Sequence, residues 1–397
     1  MNTLMHERIS RCATALPSIP AELAEGIIST SNAPDSFFSV RKEDMPPEIA
    51  ECLWIPGHGN AHRAFNPLKL RETYAAVSGF WLGRAFEKLS EHDLAGAGRM
   101  LGCWSHLCGD TAQAAHLVDE RLIADLFPQE KTCYLTHRTV EAITAELPEL
   151  TGERRILARS IGELQWRAVE ELAILQRVEK RELPVILNAI ESGDRAVQEE
   201  SAARSAFHAA ELLADVICTL LFLSKIPVPG QYEAPDLRKL VPVEEFCDSY
   251  FNYRPMIDRI PGKGPYSPMT LDLGNGPENG IAMLVYLAPG YEGIREAFAE
   301  YELPGDGSFC SFSARCGLQR GAQNDTACIF RVFLDGEIAA ETPEIGKDSE
   351  PYVLSVDPGK AKRLRLSVVD ARKDARETKF FYPVWASPQL KPQTRFQ

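Results

Sequence analysis

The sequence predicts a multidomain α + β chain, an all-helical half followed by a β-sandwich. Three observations predict it. Up to about residue 225, apolar residues recur at helical spacing. Between Ile226 and Pro242 lie four prolines and one glycine, the composition of a linker. Beyond about Val243, Gly and Pro become frequent and short runs alternate apolar with polar residues, as half-buried strands do. At 397 residues the chain is long for one domain. The expected division is a helical domain over 1–225, a linker over 226–244 and a β-sandwich over 245–395.

Taken in order, the first helix is expected from Leu4 to Leu16, ended by Pro17, with His6 inside it. A short helix from Pro20 to Ile28 leads into Ser31-Asn32-Ala33-Pro34-Asp35, which reads as a loop with Asp35 at a turn. Trp54 to Pro67 is expected to be irregular, with Pro56, Gly57, Gly59 and Pro67, and it carries His58 and His62. Helical periodicity resumes over Leu70 to Leu89 and from Leu94 through His106. Leu157, Ile161, Leu164, Ala168, Leu172 and Leu175 form one core-facing stripe, and a further helix runs from about Arg195 to Leu223. In the C-terminal half, Ile329 to Leu334, Asp335-Gly336 and Glu337 to Ala340 predict a hairpin with a primed turn. Leu364, Leu366 and Val368 alternate with Arg365 and Ser367 as a half-buried strand.

Composition narrows the function classes. A net charge of -13 argues against a broad nucleic-acid surface, though not against binding one phosphate. The ten cysteines are scattered without a CxxC pair, which predicts free thiols in a reducing compartment. The N-terminus is polar, and the run Leu212 to Leu223 contains Asp215 and is too short to span a bilayer. A cytoplasmic protein without stable membrane insertion is expected.

The stretch around Trp104 to His116 holds two imidazoles and a carboxylate. On a helix, His106 and Asp110 point to one side and can grip one cation. His116 falls out of line with them and suits a neighbouring ion. His137 and Glu141 repeat the four-residue spacing. Imidazole with carboxylate, and no thiolate, is the ligand set of a hydrolytic zinc site. His58, His92 and His208 are expected to be non-ligands, and Cys108 a buried filler.

In order, the ligand types are His6, Asp35, His62, His106, Asp110, His116, His137 and Glu141. This series resembles the zinc-dependent phospholipase C and single-strand-specific nuclease superfamily. His106, Gly109, Asp110, Gln113 and His116 match its core motif, with Ala114 where the family often has Pro. His137 and Glu141 match its His-x-x-x-Glu, Pro34-Asp35 its Pro-Asp turn, and His62 with Phe65, Asn66 and Pro67 a further element. The resemblance implies an all-helical fold with two or three zinc ions. Asp35, His62, His106 and Asp110 would hold one. His116, His137 and Glu141 would hold a second, leaving a place for water. Asp110 would bridge to a third shared with His6. Asp35 would also act as the general base.

The region from about 245 to 395 resembles the NPCBM carbohydrate-binding modules, which are galactose-binding-like β-sandwiches. The residues carrying this are Phe312 to Leu318, Phe330 to Gly336, Leu364 to Asp370, and Trp385-Ala386 in Phe380 to Ala386. The function the resemblances imply is zinc-dependent phosphoester hydrolysis of a phospholipid headgroup or nucleotide, with a carbohydrate partner for the C-terminal domain. A nuclease or nucleotidase on the same scaffold is the alternative, for which Phe37, Phe38, Phe65 and Trp104 are candidate stacking aromatics. So is a non-catalytic binding protein that keeps the fold.

Overall fold

A computed structural model describes residues 2–16, 19–61, 70–117, 139–150, 154–226, 237–247, 254–258, 260, 271–287, 296–321, 327–371 and 379–392. The chain separates into two compact units, Met1–Pro229 and Gly230–Gln397.

The N-terminal unit is built around the helix Leu94–Ala112. From Gly96 onward all its side chains except Arg99 are buried, which makes it a core helix rather than an amphipathic one. Asp93 caps its start by accepting from the Gly96 amide at 2.8 Å. The helices Thr3–Thr14, Ala21–Thr30, Leu70–Ser90, Ile161–Glu179 and Arg195–Leu223 pack around it. Ala21–Thr30 approaches most closely, because Gly26 and Gly98 meet without side chains. A Cβ on Gly98 would stand 2.5 Å from the Leu23 carbonyl oxygen and 2.9 Å from the Gly26 Cα. This contact brings the chain just after Thr30 onto the central helix.

Several local expectations are corrected. Pro34-Asp35 lies in a short helix, Ala33–Ser36, rather than a loop; Pro is compatible with a helix's first turn, where its missing N–H costs nothing. Within Trp54 to Pro67, Trp54–Ile55 pairs antiparallel with Gly59–Asn60, across a turn where Gly57 and Gly59 take positive φ. Leu157 precedes its helix, which spans Ile161–Glu179. It is buried from a non-helical stretch whose amide donates to Thr219 Oγ1 at 2.9 Å, and its four-residue distance from Ile161 mimics helical spacing. The helix Glu182–Ser192 was not anticipated; it stops at Gly193, left-handed at φ 74°.

Helix Arg195–Leu223 has the predicted bounds. Among the described residues it alone is long and apolar enough to cross a membrane, and 72% of its most apolar window is buried inside the protein, as in a core helix. His208 on this helix is held by Glu179, Nδ1 to Oε1 at 2.8 Å. The nine described cysteines are free thiols.

The C-terminal unit holds two main sheets. One runs Tyr352–Val356, Phe309–Leu318, Pro383–Pro392, Gly280–Ala282, Met256–Ile257. The other runs Glu337–Glu341, Ala327–Leu334, Arg363–Asp370, Glu296–Glu302, Glu244–Phe246, with Ile345–Gly346 also on Ala327–Leu334. All these pairings are antiparallel. Leu364, Leu366 and Val368 from one sheet share a core with Phe312, Ala314 and Cys316 from the other. Trp385 meets Phe330 across the interior edge to face, centroids 5.0 Å apart. This is a β-sandwich. The predicted hairpin forms with Asp335 at φ 48° and Gly336 at φ 90°, the positive pair a type I′ turn demands.

Candidate metal centre

Five segments bring ligand-type side chains together. Helix Leu94–Ala112 supplies His106 and Asp110, one turn apart, with His106 Nε2 3.3 Å from Asp110 Oδ2. Helix Thr3–Thr14 supplies His6, whose ring stacks on His106 at 4.0 Å between centroids. His6 Nε2 lies 3.4 Å from Asp110 Oδ1. The short helix Ala33–Ser36 places Asp35 at the rim, its Oδ1 3.6 Å from His106 Nε2 and its side chain 48% exposed. The central helix ends at Ala112 and His116 follows in the turn Ala114–Leu117. Its Nδ1 is 3.9 Å from Asp110 Oδ1, and its Nε2 is 2.9 Å from Glu141 Oε1. Asp110 thus sits at the centre, with His6, His106 and His116 around its carboxylate.

Packing explains why these residues meet. Gly109 leaves room for the His6 ring beside the helix: a Cβ there would stand 2.5 Å from His6 Nδ1. Ser10 and Ser105 hydroxyls bond at 2.8 Å one turn away, fixing the two helices. The close approach through Gly26 and Gly98 delivers the Ser31 carbonyl to His106, at 3.0 Å from Nδ1. A carbonyl only accepts, so Nδ1 carries a proton and donates, which leaves Nε2 as the ring atom that faces Asp110.

Burial and neighbouring charge shift the titration of all three groups. Burial, and then the charge of His106, push His6 down to about 3, so it is neutral at pH 7. For His106, burial pulls down but Asp110 and Asp35 outweigh it and raise its pKa. For Asp110, burial resists ionisation, yet neighbouring positive charges, His106 and His116 among them, hold its carboxyl well below the usual range.

A metal ion fits this donor set. His6, His106 and Asp110 are buried, and each can offer a ligand atom within 4.8 Å of the others. Both His6 ring nitrogens are shielded from solvent without a hydrogen bond of acceptable geometry. An imidazole so placed is costly unless something absent from the protein atoms satisfies it. The group formed is His6 with His106 and Asp110, whereas the family resemblance assigns His6 to a third ion bridged by Asp110. His62 and His137 lie outside the described residues. His58 and His92 are exposed. Of the candidate stacking aromatics, Trp104 is buried core, its Nε1 donating to Ser78 at 2.9 Å; Phe38 is exposed, Phe37 half-buried, and Phe65 outside the described residues. The residues sequence reasoning missed are Ser31, acting through its carbonyl, and Asn2, which touches the segment bearing Glu141.

Residues 295–391 match the NPCBM/NEW2 domain model. No curated protein matches the chain. Among solved structures, the CBM51-2 and INT domains of Clostridium perfringens ZmpB are 20% identical, with a TM-score of 0.31 over 40% of this chain and 32% of that one. The chain therefore spans about a third of that structure. The CBM51 module of C. perfringens GH95, in complex with methyl-galactose, is 17% identical with a TM-score of 0.30, over 40% of this chain and 99% of the module. Alpha toxin from Clostridium absonum is 9% identical with a TM-score of 0.29, over 99% of this chain and 94% of the toxin.

Proposed function

We propose that the N-terminal unit is a zinc-dependent phosphoester hydrolase, joined to a C-terminal unit that binds carbohydrate. The observation that carries the first part is the buried trio His6, His106 and Asp110, with His6 ring nitrogens left unsatisfied by protein. The ordered ligand series and its resemblance to the zinc phospholipase C and nuclease superfamily point to phosphoesters as the substrate class.

In this reading His6, His106 and Asp110 hold one ion, and His116 with Glu141 helps hold a neighbour, to which His137 would add by sequence. Zinc held there would offset the charge of an anionic phosphoester and would lower the pKa of a bound water toward ~7. The chain's own residues do the rest. The Ser31 carbonyl holds His106 in the Nδ1–H tautomer. Asp110 keeps its negative charge despite burial, because neighbouring positive charges, the N-terminal amine first and then His106 and His116, hold its pKa down. Asp35, more exposed than the other acids around Asp110, stands where it can take a proton from an attacking water.

The test is zinc content of purified protein by elemental mass spectrometry, beside His106→Ala and Asp110→Asn, followed by release of phosphate or headgroup from phosphodiesters. Two or three zinc ions per chain, reduced in both variants, together with turnover, support the hydrolase. Asp110→Asn binding zinc as tightly as the parent protein would sink the ligand assignment; zinc without turnover would leave a metal-holding binding protein. For the C-terminal unit, supported by the NPCBM/NEW2 match, titration with galactose and N-acetylglucosamine should show saturable binding.

A further inference from the structure

We infer that Asn2 is a positioning residue that locks Glu141 against His116; this rests on reading the site as a metal centre. Asn2 does two separable jobs. Its Oδ1 caps helix Thr3–Thr14, accepting from the Met5 amide at 3.0 Å. Its Nδ2 donates across the fold to the Glu141 carbonyl, and at 3.5 Å to the Ile143 carbonyl. Four residues along the same helix from Asn2 is His6, inside the buried trio. One side chain therefore ties the helix bearing His6 to the backbone of the residue whose carboxylate holds His116 at 2.9 Å.

The rest of that segment has its own anchors. Arg8 Nη1 donates to the Ala145 carbonyl at 2.7 Å, and the Ala145 amide lies 3.4 Å from Met5 Sδ. Both hold residue 145, and neither reaches Glu141. From this helix, the Asn2 amide is the group that donates to Glu141 itself. Loss of that donor loosens the backbone under Glu141, and with it the placement of its carboxylate on His116, while leaving the segment docked. Residues that orient a ligand in this way typically alter metal affinity about 10–100-fold.

Asn2→Ser separates the two jobs, since Ser caps a helix but is too short to reach Glu141 and adds no charge. Asn2→Ala removes both. Metal-stripped proteins would be compared by thermal unfolding and by hydrogen exchange of residues 139–146. Zinc dissociation constants would come from competition with a chelator, with Glu141→Gln marking the ion that depends on Glu141. The expected result for Asn2→Ser is an unchanged melting temperature, faster exchange at residues 141–143, and about tenfold or more weaker binding of the ion that Glu141→Gln also weakens. Unchanged exchange would refute the clamp. Faster exchange with parental affinity for every zinc would refute the positioning role while the metal reading stands. Parent protein that takes up no zinc would overturn the metal reading and this role with it, although the exchange data would still score the clamp.

Discussion

Replacing Gly109 by alanine tests whether the His6 ring packs against the central helix at that point. In an exposed helix interior, Gly→Ala stabilises by about 1 kcal/mol, because alanine loses less backbone entropy. At Gly109 the new Cβ would stand 2.5 Å from His6 Nδ1, 2.7 Å from Cε1 and 3.4 Å from Ile9 Cδ1. His6 cannot simply swing away, because it is fully buried and stacked on His106 at 4.0 Å. Forcing a methyl into so closed a site costs about 1–3 kcal/mol. Gly162 gives the control: it lies in the first turn of helix Ile161–Glu179, and its Cβ would meet nothing within 4 Å. Set against that control, Gly109→Ala should be about 1–3 kcal/mol less stable, roughly 2–12 °C in the melting temperature of a unit this size. The assay is calorimetry of stripped protein, following the transition of the helical unit, with zinc content measured in parallel. Gly109→Ala should also lose zinc, since His6 is displaced. If it melts at or above Gly162→Ala and holds zinc like the parent, the stacking of His6 on the helix at Gly109 is wrong.

The other predictions concern stability in each unit. The Glu179 hydrogen bond raises the pKa of His208 above 6.5, so its contribution is complete below pH 6.5 and fades as pH rises through the raised value. His208→Ala should therefore lower the urea midpoint more at pH 5.5 than at pH 9, and equal losses at both would count against the ion pair. Gly336→Ala places a Cβ in open space but at φ 90°, so a loss of about 1–3 kcal/mol in thermal unfolding would be purely conformational, and no loss would deny the primed turn. Phe330→Ala removes the ring that meets Trp385 in the sandwich interior and should cost about 3–5 kcal/mol by denaturant unfolding. A cost below about 1 kcal/mol would mean that this core is not packed as described.

The part of the site carried by one helix is legible because helical spacing is a local rule. His106 and Asp110 are four apart, and on Leu94–Ala112 their side chains meet at 3.3 Å. His116 is out of register with them, and the helix does end before it, at Ala112. The hairpin around Asp335-Gly336 is legible for the same reason, since φ demands act on two adjacent residues. Where two local rules compete, the reading slips: Pro34 starts a short helix as readily as it makes a turn, and Leu157 sits at helical distance from Ile161 without being helical. Trp104, two residues before the ligand motif, reads from sequence as a candidate substrate-stacking ring, but its indole is bonded to Ser78 inside the core.

What sequence does not carry is the placement of backbone acceptors. His106 presents Nε2 to Asp110 because Nδ1 is taken by the Ser31 carbonyl, and any residue at position 31 has a carbonyl. That carbonyl arrives only because Gly26 and Gly98 let two helices touch, a contact between residues 72 apart whose signal in the chain is two unremarkable glycines. The Glu141 carbonyl that receives Asn2 is equally anonymous, and it lies 139 residues away. Only Gly109 shows a side of this in the sequence, as the glycine before Asp110, and its reason is the imidazole of His6 pressed against it from another helix. The candidate ligands of the proposed centre can therefore be named from residue types, while their orientation follows from helix packing. Substitutions at Gly26, Gly98 or Gly109, none of them a proposed ligand, should change zinc content measured by elemental mass spectrometry.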